Sequence, residues 1–386
     1  MAEVKKCMWC YSEKLDEATK RKDGSGILKC QSCGLTMLSS VPENLDSLYG
    51  EESYFNPVKK VDTGYDQNYD LMTPLSLLWQ VSIVDQLTIS KEKKTFFEVG
   101  CATGNLLELT QEFIPNLTAY GIDVSKYSVA VCKEKGLEVS LAGIEEYTPK
   151  RKFDIIFSSE TMEHLTDLKV FMEKVKKSMS NAGTFVFFVP CLRSNKKINR
   201  EEDVFSHPEH LIFFTSEFFK KELSKFFGVP TNIYQINTDF GSSIVGIVSF
   251  DEKSISKLKV VMESILKNEL PSSVDNQTLT NLAIIASKFS KFELAERSLA
   301  SFKDKDSKVI FAEGVIACHK GEIHKAKEKF LESFGGGLID YVKLKILYNL
   351  NSELINIYEK RLLRQEAGSK RVDGSTKGVF AKLRGN

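Results

Sequence analysis

The feature that most constrains the fold is an alternation of strand-like and helix-like segments from residue 95 to residue 190. TFFEVG (95–100) is a short apolar run, and NLLELTQEF (105–113) repeats leucine at helical spacing. AYGIDV (119–124) again reads as a strand, and SKYSVAVCKEKG (125–136) as a helix closed by Gly136. LEVSLA (137–142), FDIIFSS (153–159) and TFVFFVP (184–190) are further strands, with a Lys-rich helix, DLKVFMEKVKKSM (167–179), before the last. Such β-α-β order demands a parallel, doubly wound α/β sheet with helices on both faces. An amphipathic helix beginning at Pro74, 74-PLSLLWQVSIVDQL-87, precedes it. TSEFFKKELSKFFG (215–228) follows as an amphipathic helix, and NIYQIN and SSIVGIVSF form a final strand pair joined by a loop containing Gly241.

The turn after the first strand carries the chemistry. Glu98-x-Gly100-x-x-x-Gly104, with Ala102 between the glycines, lets the backbone approach a ligand closely and turn into a helix. It departs from the G-x-G-x-x-G of dinucleotide sites. Asp123 closes the next strand, where a carboxylate suits two ribose hydroxyls; alternatively it caps the helix that starts at Ser125. The stretch 153-FDIIFSSETMEHLTD-167 ends a later strand in acid-x-x-acid-His.

These motifs together resemble class I S-adenosylmethionine-dependent methyltransferases. The resemblance implies a Rossmann-like sheet of seven strands with the last antiparallel. It implies that Glu98 lies near the cofactor's ammonium and that Gly100, Cys101, Ala102 and Gly104 form the cofactor loop. Asp123 and Val124 then flank the ribose, backbone near Ile144 meets the adenine, and Glu160 lies near the methionine moiety. The family often carries Asp where this chain has Gly143. His164 falls on the first turn of the helix after the fourth strand, as an acceptor-side group or a structural histidine. The segment 206-SHPEHLIFFTSEFF-219 resembles an H-P-x-H-x-x-x-F-T signature of small-molecule methyltransferases. His210 is then the first choice for general base and His207 the second, unless both only hold the loop. Cys191 and Arg193 could line an acceptor pocket, although a solvated loop suits Arg193 equally.

Cys7-x-x-Cys10 and Cys30-x-x-Cys33 have the spacing of two knuckles gripping one ion. Four thiolates so arranged imply structural Zn2+ with no open position. The other cysteines are scattered, and MAEVKKCMWC has no apolar export core, so reduced thiols and a cytoplasmic location are expected. A zinc ribbon followed by Leu-Tyr-Gly-x-x-x-Tyr-Phe and the methyltransferase core resembles a bacterial group in surface-glycan and deoxysugar pathways. The resemblance implies that Tyr65 and Tyr69 either help enclose the cofactor or acceptor or only pack a linker. The resemblance implies a nucleotide-linked or glycan-bound sugar as acceptor. An RNA substrate gripped by the ribbon is the alternative. Net charge of +1 over the chain argues against nucleic acid, and a surplus of about +2 over the first 40 residues does the same. No run of 18 apolar residues suggests a membrane span.

The last third differs in texture. Residues 282–299 and 313–330 superpose at an offset of 31, matching Ala286 with Ala317, Ala295 with Ala326 and Leu299 with Phe330. Small residues at helix crossings resemble a short tetratricopeptide array that would dock a protein partner, with an unrelated helical bundle as the alternative. A scaffold with a vestigial enzyme core is the third functional reading. The expected organisation is a zinc ribbon (1–45), a Tyr-rich linker and entry helix (46–90), a methyltransferase domain (91–252), a helical domain (253–366) with capping helices near 340–363, and a basic flexible tail (367–386).

Overall fold

The structure is a computed structural model and describes residues 2–21, 23–41, 74–88, 92–192, 209–238, 241–335 and Ile346. Tyr65, Tyr69, Arg193, His207, the capping segment other than Ile346 and the tail lie outside the described residues.

The N-terminal module is a small antiparallel sheet of β2 (Leu15–Lys20), β3 (Gly26–Cys30) and β4 (Thr36–Leu38). Two short strands, β1 (Ala2–Glu3) and β5 (Ser40–Val41), pair beside it. After α1 (Pro74–Leu87), the alternation unfolds as read: β6 (Lys94–Val99), α2 (Asn105–Phe113), β7 (Leu117–Asp123), α3 (Lys126–Glu134), β8 (Glu138–Leu141), β9 (Phe153–Ser159), α4 (Leu168–Ser178) and β10 (Met179–Pro190). Side-chain caps start two of these helices. Ser125 accepts from Ser128 N at α3, and Asp167 from Val170 N at α4. The cap of α3 is thus Ser125 and not Asp123, which stays available for other work.

β11 (Ile212–Phe213) leaves the central domain and joins β4 as the fourth strand of the N-terminal sheet. α5 (Ser216–Phe227) follows, capped by Thr215 and closed by left-handed Gly228. β12 (Thr231–Thr238) and β13 (Gly241–Ser249) complete the central sheet, with Gly241 opening the last strand. The order is β12-β13-β10-β9-β6-β7-β8. β6 is parallel to both β7 and β9, and β13 runs antiparallel to both of its neighbours. This is the seven-stranded Rossmann-like sheet with its last strand antiparallel that the resemblance implied.

Phe97, Phe153, Phe171, Phe185, Phe187 and Phe219 are fully buried, and they share one core with Trp9, Ile27, Met37 and Leu38 of the N-terminal module. Trp9 packs edge-on against Phe218 and Phe226, and its Nε1 donates to Glu222 at 2.9 Å. The module therefore does not stand alone on its cysteines; its apolar side closes the central domain's core.

The helices α6 (Ser256–Lys267), α7 (Asn276–Lys288), α8 (Phe292–Ala300), α9 (Ser307–Lys320) and α10 (Ile323–Ser333) form the C-terminal part. α7 packs on α8 and α9 on α10 as hairpins, with α7 against α9. The side chains matched at offset 31 are all buried at the crossings, and Gly314 lies close under the Phe330 ring. α7 also covers the outer face of α1. Asp85 Oδ2 accepts from Gln277 and Asn281 at 2.8 and 2.9 Å, and Gln86 donates to Thr278 at 3.0 Å. So α1 is not the amphipathic helix expected from its sequence. It is buried on nearly every side, because helices and sheet sandwich it, and its Gln80, Ser82 and Gln86 are buried.

Candidate functional site

Parallel strands aim their carboxyl ends at one edge, and ligands in such sheets settle where the strand order reverses. Here the chain winds outward from β6 to β7 and β8, then crosses back to β9, so the reversal lies between β6 and β9. Glu98, one residue from the end of β6, is only 6% exposed. Its Oε2 is buried with no hydrogen-bond partner among the described residues. Burial, then the nearby Cys132 and Asp123, raise its carboxyl well above the ordinary range.

The following loop is held tightly. Gly100 and Gly104 both have φ 77° and Ala102 has φ 46°, in the left-handed region. A Cβ on Gly100 would meet Thr161 Oγ1 at 2.5 Å, so this glycine is required by both φ and space. Gly100 N and Cys101 N donate to Ile122 O at 2.9 and 3.1 Å. The Cys101 thiol is buried against Gly121, which leaves its backbone as the part able to face a ligand. Asp123, also 6% exposed, accepts from Ala102 N and Ser125 N, each at 2.8 Å. Each carboxylate oxygen has two lone pairs, so each keeps one for a further donor. Burial raises this carboxyl's pKa as well.

Val124 is 44% exposed beside the cleft, and Ile144 is buried in the turn after β8. On the other side of the reversal, Glu160 has φ 49°, and its N–H donates to Phe188 O at 2.9 Å. Its side chain is exposed. Gln80 donates to Ser159 Oγ at 3.1 Å, a contact that no local motif announced.

His164 does not begin the next α-helix. It ends a one-turn 3-10 helix, Met162–His164, because Asp167 caps α4 only three residues later. His164 and His210 meet edge to face with ring centroids 5.0 Å apart. His210 is buried, and His164 Nδ1 lies 3.1 Å from Glu209 O. Leu211 N donates to Glu163 O, and Leu38 N donates to Leu211 O. The histidine segment is thus pinned between the 3-10 turn and the N-terminal sheet. Glu163, absent from the expected site residues, is 1% exposed within this group; the acid-x-x-acid-His spacing was its only signal. Cys191 is buried at the end of β10, its thiol held by Leu192 O at 3.7 Å.

Cys7, Cys10, Cys30 and Cys33 bring their sulfurs within 4.8 Å of one another, with Cys7–Cys33 and Cys10–Cys30 at 3.5 Å. All four are free thiols. A tetrahedral ion with bonds of about 2.3 Å needs sulfurs about 3.8 Å apart, so the set fits a closed four-thiolate site.

Residues 76–226 match the family model described as "Methyltransferase domain". Over that segment the chain is similar to a methyltransferase domain. A malonyl-[acyl-carrier protein] O-methyltransferase of Priestia megaterium is 26% identical over 136 residues, covering 34% of this chain and 50% of that protein. A ubiquinone biosynthesis O-methyltransferase of Bradyrhizobium sp. is 30% identical over 106 residues, 26% of this chain and 40% of that one. The chain therefore spans about half the length of the curated relatives it matches, or less. A solved plantazolicin methyltransferase, BpumL with a pentazolic analog and SAH, is 15% identical with TM-score 0.40, covering 48% of this chain and 89% of that one. The matched methyltransferase segment starts inside α1 and ends inside α5, so the Cys module and the helical hairpins flank it.

Proposed function

We propose that this chain transfers the methyl group of S-adenosylmethionine to a small acceptor. The observation that carries this reading is the cleft at the strand reversal, where a buried carboxylate oxygen of Glu98 lacks a partner among the described residues, beside a left-handed glycine loop. An ammonium is the group that such an oxygen suits, since a buried carboxylate without a donor is costly. Glu98 then holds the methionine end, and the Gly100–Gly104 loop brings backbone close to it. Asp123 offers its spare lone pairs to the ribose, while Val124 and the Ile144 turn flank the base. Glu160 borders the methionine moiety from the β9 side.

When bound, the cofactor supplies an electrophilic methyl on sulfur. The chain's own residues position the acceptor and dispose of its proton. Alignment alone contributes on the order of 7–11 kcal/mol in well-oriented reactions. His210 is the first candidate to take the acceptor's proton, with His164 facing it and His207 second. The four cysteines hold structural Zn2+, and the ribbon keeps the His210 segment in register through the β4–β11 pairing.

The acceptor class we favour is a nucleotide-linked or glycan-bound sugar; the curated relatives named above are O-methyltransferases, which supports oxygen as the methylated atom. The helical hairpins are read as a tetratricopeptide-like surface for a protein partner. Among the described residues no helix is long and apolar enough to cross a membrane. Calorimetry with S-adenosylmethionine, followed by labelled methyl transfer to nucleotide sugars, carboxylic acids and phenols, tests the proposal. Cofactor heat with transfer to one class supports it. No heat of binding refutes it.

A further inference from the structure

One residue of the Gly100–Gly104 loop holds a backbone conformation against its own preference. Ala102 has φ 46°, a left-handed value that a residue with a Cβ keeps only when its surroundings impose it. Gly100 and Gly104 occupy the same region without that penalty, so the strain of the loop sits at Ala102.

The anchors that impose it are on the page. Ala102 N donates to Asp123 Oδ2 at 2.8 Å, an oxygen of the carboxylate already assigned to the ribose. The remaining anchors come from α3. Cys132 Sγ donates to Ala102 O at 3.3 Å. Three residues on, Lys135 sends its Nζ back to Thr103 O at 2.9 Å and to Asn105 Oδ1 at 3.3 Å. Glu108 Oε2 on α2 lies 3.5 Å from the same nitrogen. An ammonium has three hydrogens and no lone pair, and here three acceptors from the loop and α2 surround it.

This lysine is built into the fold. Its side chain is only 10% exposed, and Thr103 and Asn105 are buried. Lysine is seldom so buried unless its charge is matched, and charge-assisted bonds shielded from water are strong. Lys135 is also the C-cap of α3, directly before left-handed Gly136, so the helix end fixes where its side chain starts.

We propose that Lys135 is a positioning residue for the cofactor loop: by drawing Thr103 O toward α3, it holds Ala102 in its left-handed turn. This role rests on the methyltransferase reading. It is exerted through Thr103 and Ala102, with no contact to the reacting atoms. Without the lysine the loop relaxes toward negative φ at Ala102. Cofactor affinity then falls in proportion to the fraction of molecules that keep the competent loop.

Lys135→Met keeps an apolar stem and removes the donors, and it is measured in the wild-type and in the Ala102→Gly backgrounds. Glycine enters the left-handed region without penalty, so the second background lacks the strain that the lysine opposes. S-adenosylmethionine affinity is read by calorimetry on the full chain, and amide exchange of the ligand-free protein by mass spectrometry. In the wild-type background, Lys135→Met should weaken the cofactor about tenfold or more, the worth of a bond to a charged group. Exchange should quicken in the loop and the first turn of α2 while β6 and β7 stay as protected as before. In the Ala102→Gly background the same substitution should weaken the cofactor by less than about threefold, since the two changes act on one turn and are not additive. An equal loss in both backgrounds overturns the proposal, because burial of a charge and not the turn would then be at stake. So does unchanged affinity in a folded Lys135→Met. If that variant does not fold, the double variant is compared with Ala102→Gly alone. A folded double variant of near-equal affinity supports the clasp, and an unfolded one overturns it. Absence of cofactor heat in the wild type strikes the methyltransferase reading instead, and the exchange measurement still decides whether Lys135 holds the loop.

Discussion

Gly100→Ala is the substitution that interrogates the cofactor loop most directly. The new Cβ would lie 2.5 Å from Thr161 Oγ1 and 3.0 Å from its Cγ2. Thr161 has little room to yield, since it is β-branched and donates to Ser159 O at 3.0 Å. Three costs follow. A left-handed φ of 77° on alanine costs about 1–2 kcal/mol. Driving Thr161 off its rotamer costs about 0.5–1.5 kcal/mol. Losing its hydrogen bond costs about 0.5–1.5 kcal/mol more. The variant should therefore lose roughly 2–5 kcal/mol of stability, or move the loop and lose cofactor affinity by a comparable factor. Denaturant unfolding read by the fluorescence of Trp9 and Trp79, beside cofactor calorimetry, measures both routes. Adding Thr161→Ala to the same chain should relieve the steric part and leave about 1–2 kcal/mol for the backbone. The reasoning is refuted if Gly100→Ala changes stability by less than about 0.5 kcal/mol with cofactor affinity intact, the range of an uninvolved surface position. It also fails if the double variant is no better than the single.

Glu98→Gln should separate stability from binding. The Glu98 carboxyl is raised by burial, so its contribution to stability is complete below the ordinary carboxylate range and is lost as pH climbs through the raised value. Glutamine cannot ionise, so the ligand-free variant should melt higher than wild type at neutral and alkaline pH, with a flatter pH dependence. Its cofactor affinity should fall by about 10- to 150-fold, the worth of one hydrogen bond to a charged group at about 1.5–3 kcal/mol. Stripping the metal, or Cys30→Ser, should cost methyl transfer far more than cofactor binding, because β11 loses its partner strand and His210 its register; released zinc and single-turnover transfer read this out. Trp9→Ala empties a fully packed aromatic site and should cost about 3–5 kcal/mol by thermal or chemical unfolding, with the same bias against transfer.

The comparison between sequence and structure turns on how far apart in the chain each determinant lies. The β-α-β alternation, the left-handed glycines at 100 and 104, the cap at Ser125 and the paired cysteine knuckles are local, each set by neighbours within a few residues. Glu98 and Asp123 were legible for the same reason, since each ends a strand whose direction the pattern fixes. The amphipathic reading of α1 failed because its second covering face comes from α7, some 190 residues later. Placing His164 on an α-helix failed because one cap, Asp167, sits after it and not before.

By itself the sequence determined the strand order's local signals, the left-handed glycine loop and the thiol set, because backbone conformation and knuckle spacing are short-range properties. Tertiary structure alone decided that Ile212 pairs with Met37, so that a strand of the central domain completes the cysteine module's sheet. It alone brought His210 to the neighbouring pair Glu163 and His164, across the chain that separates them. Pairing at such separation is selected by burial of a shared core, and no window of neighbouring residues contains that information.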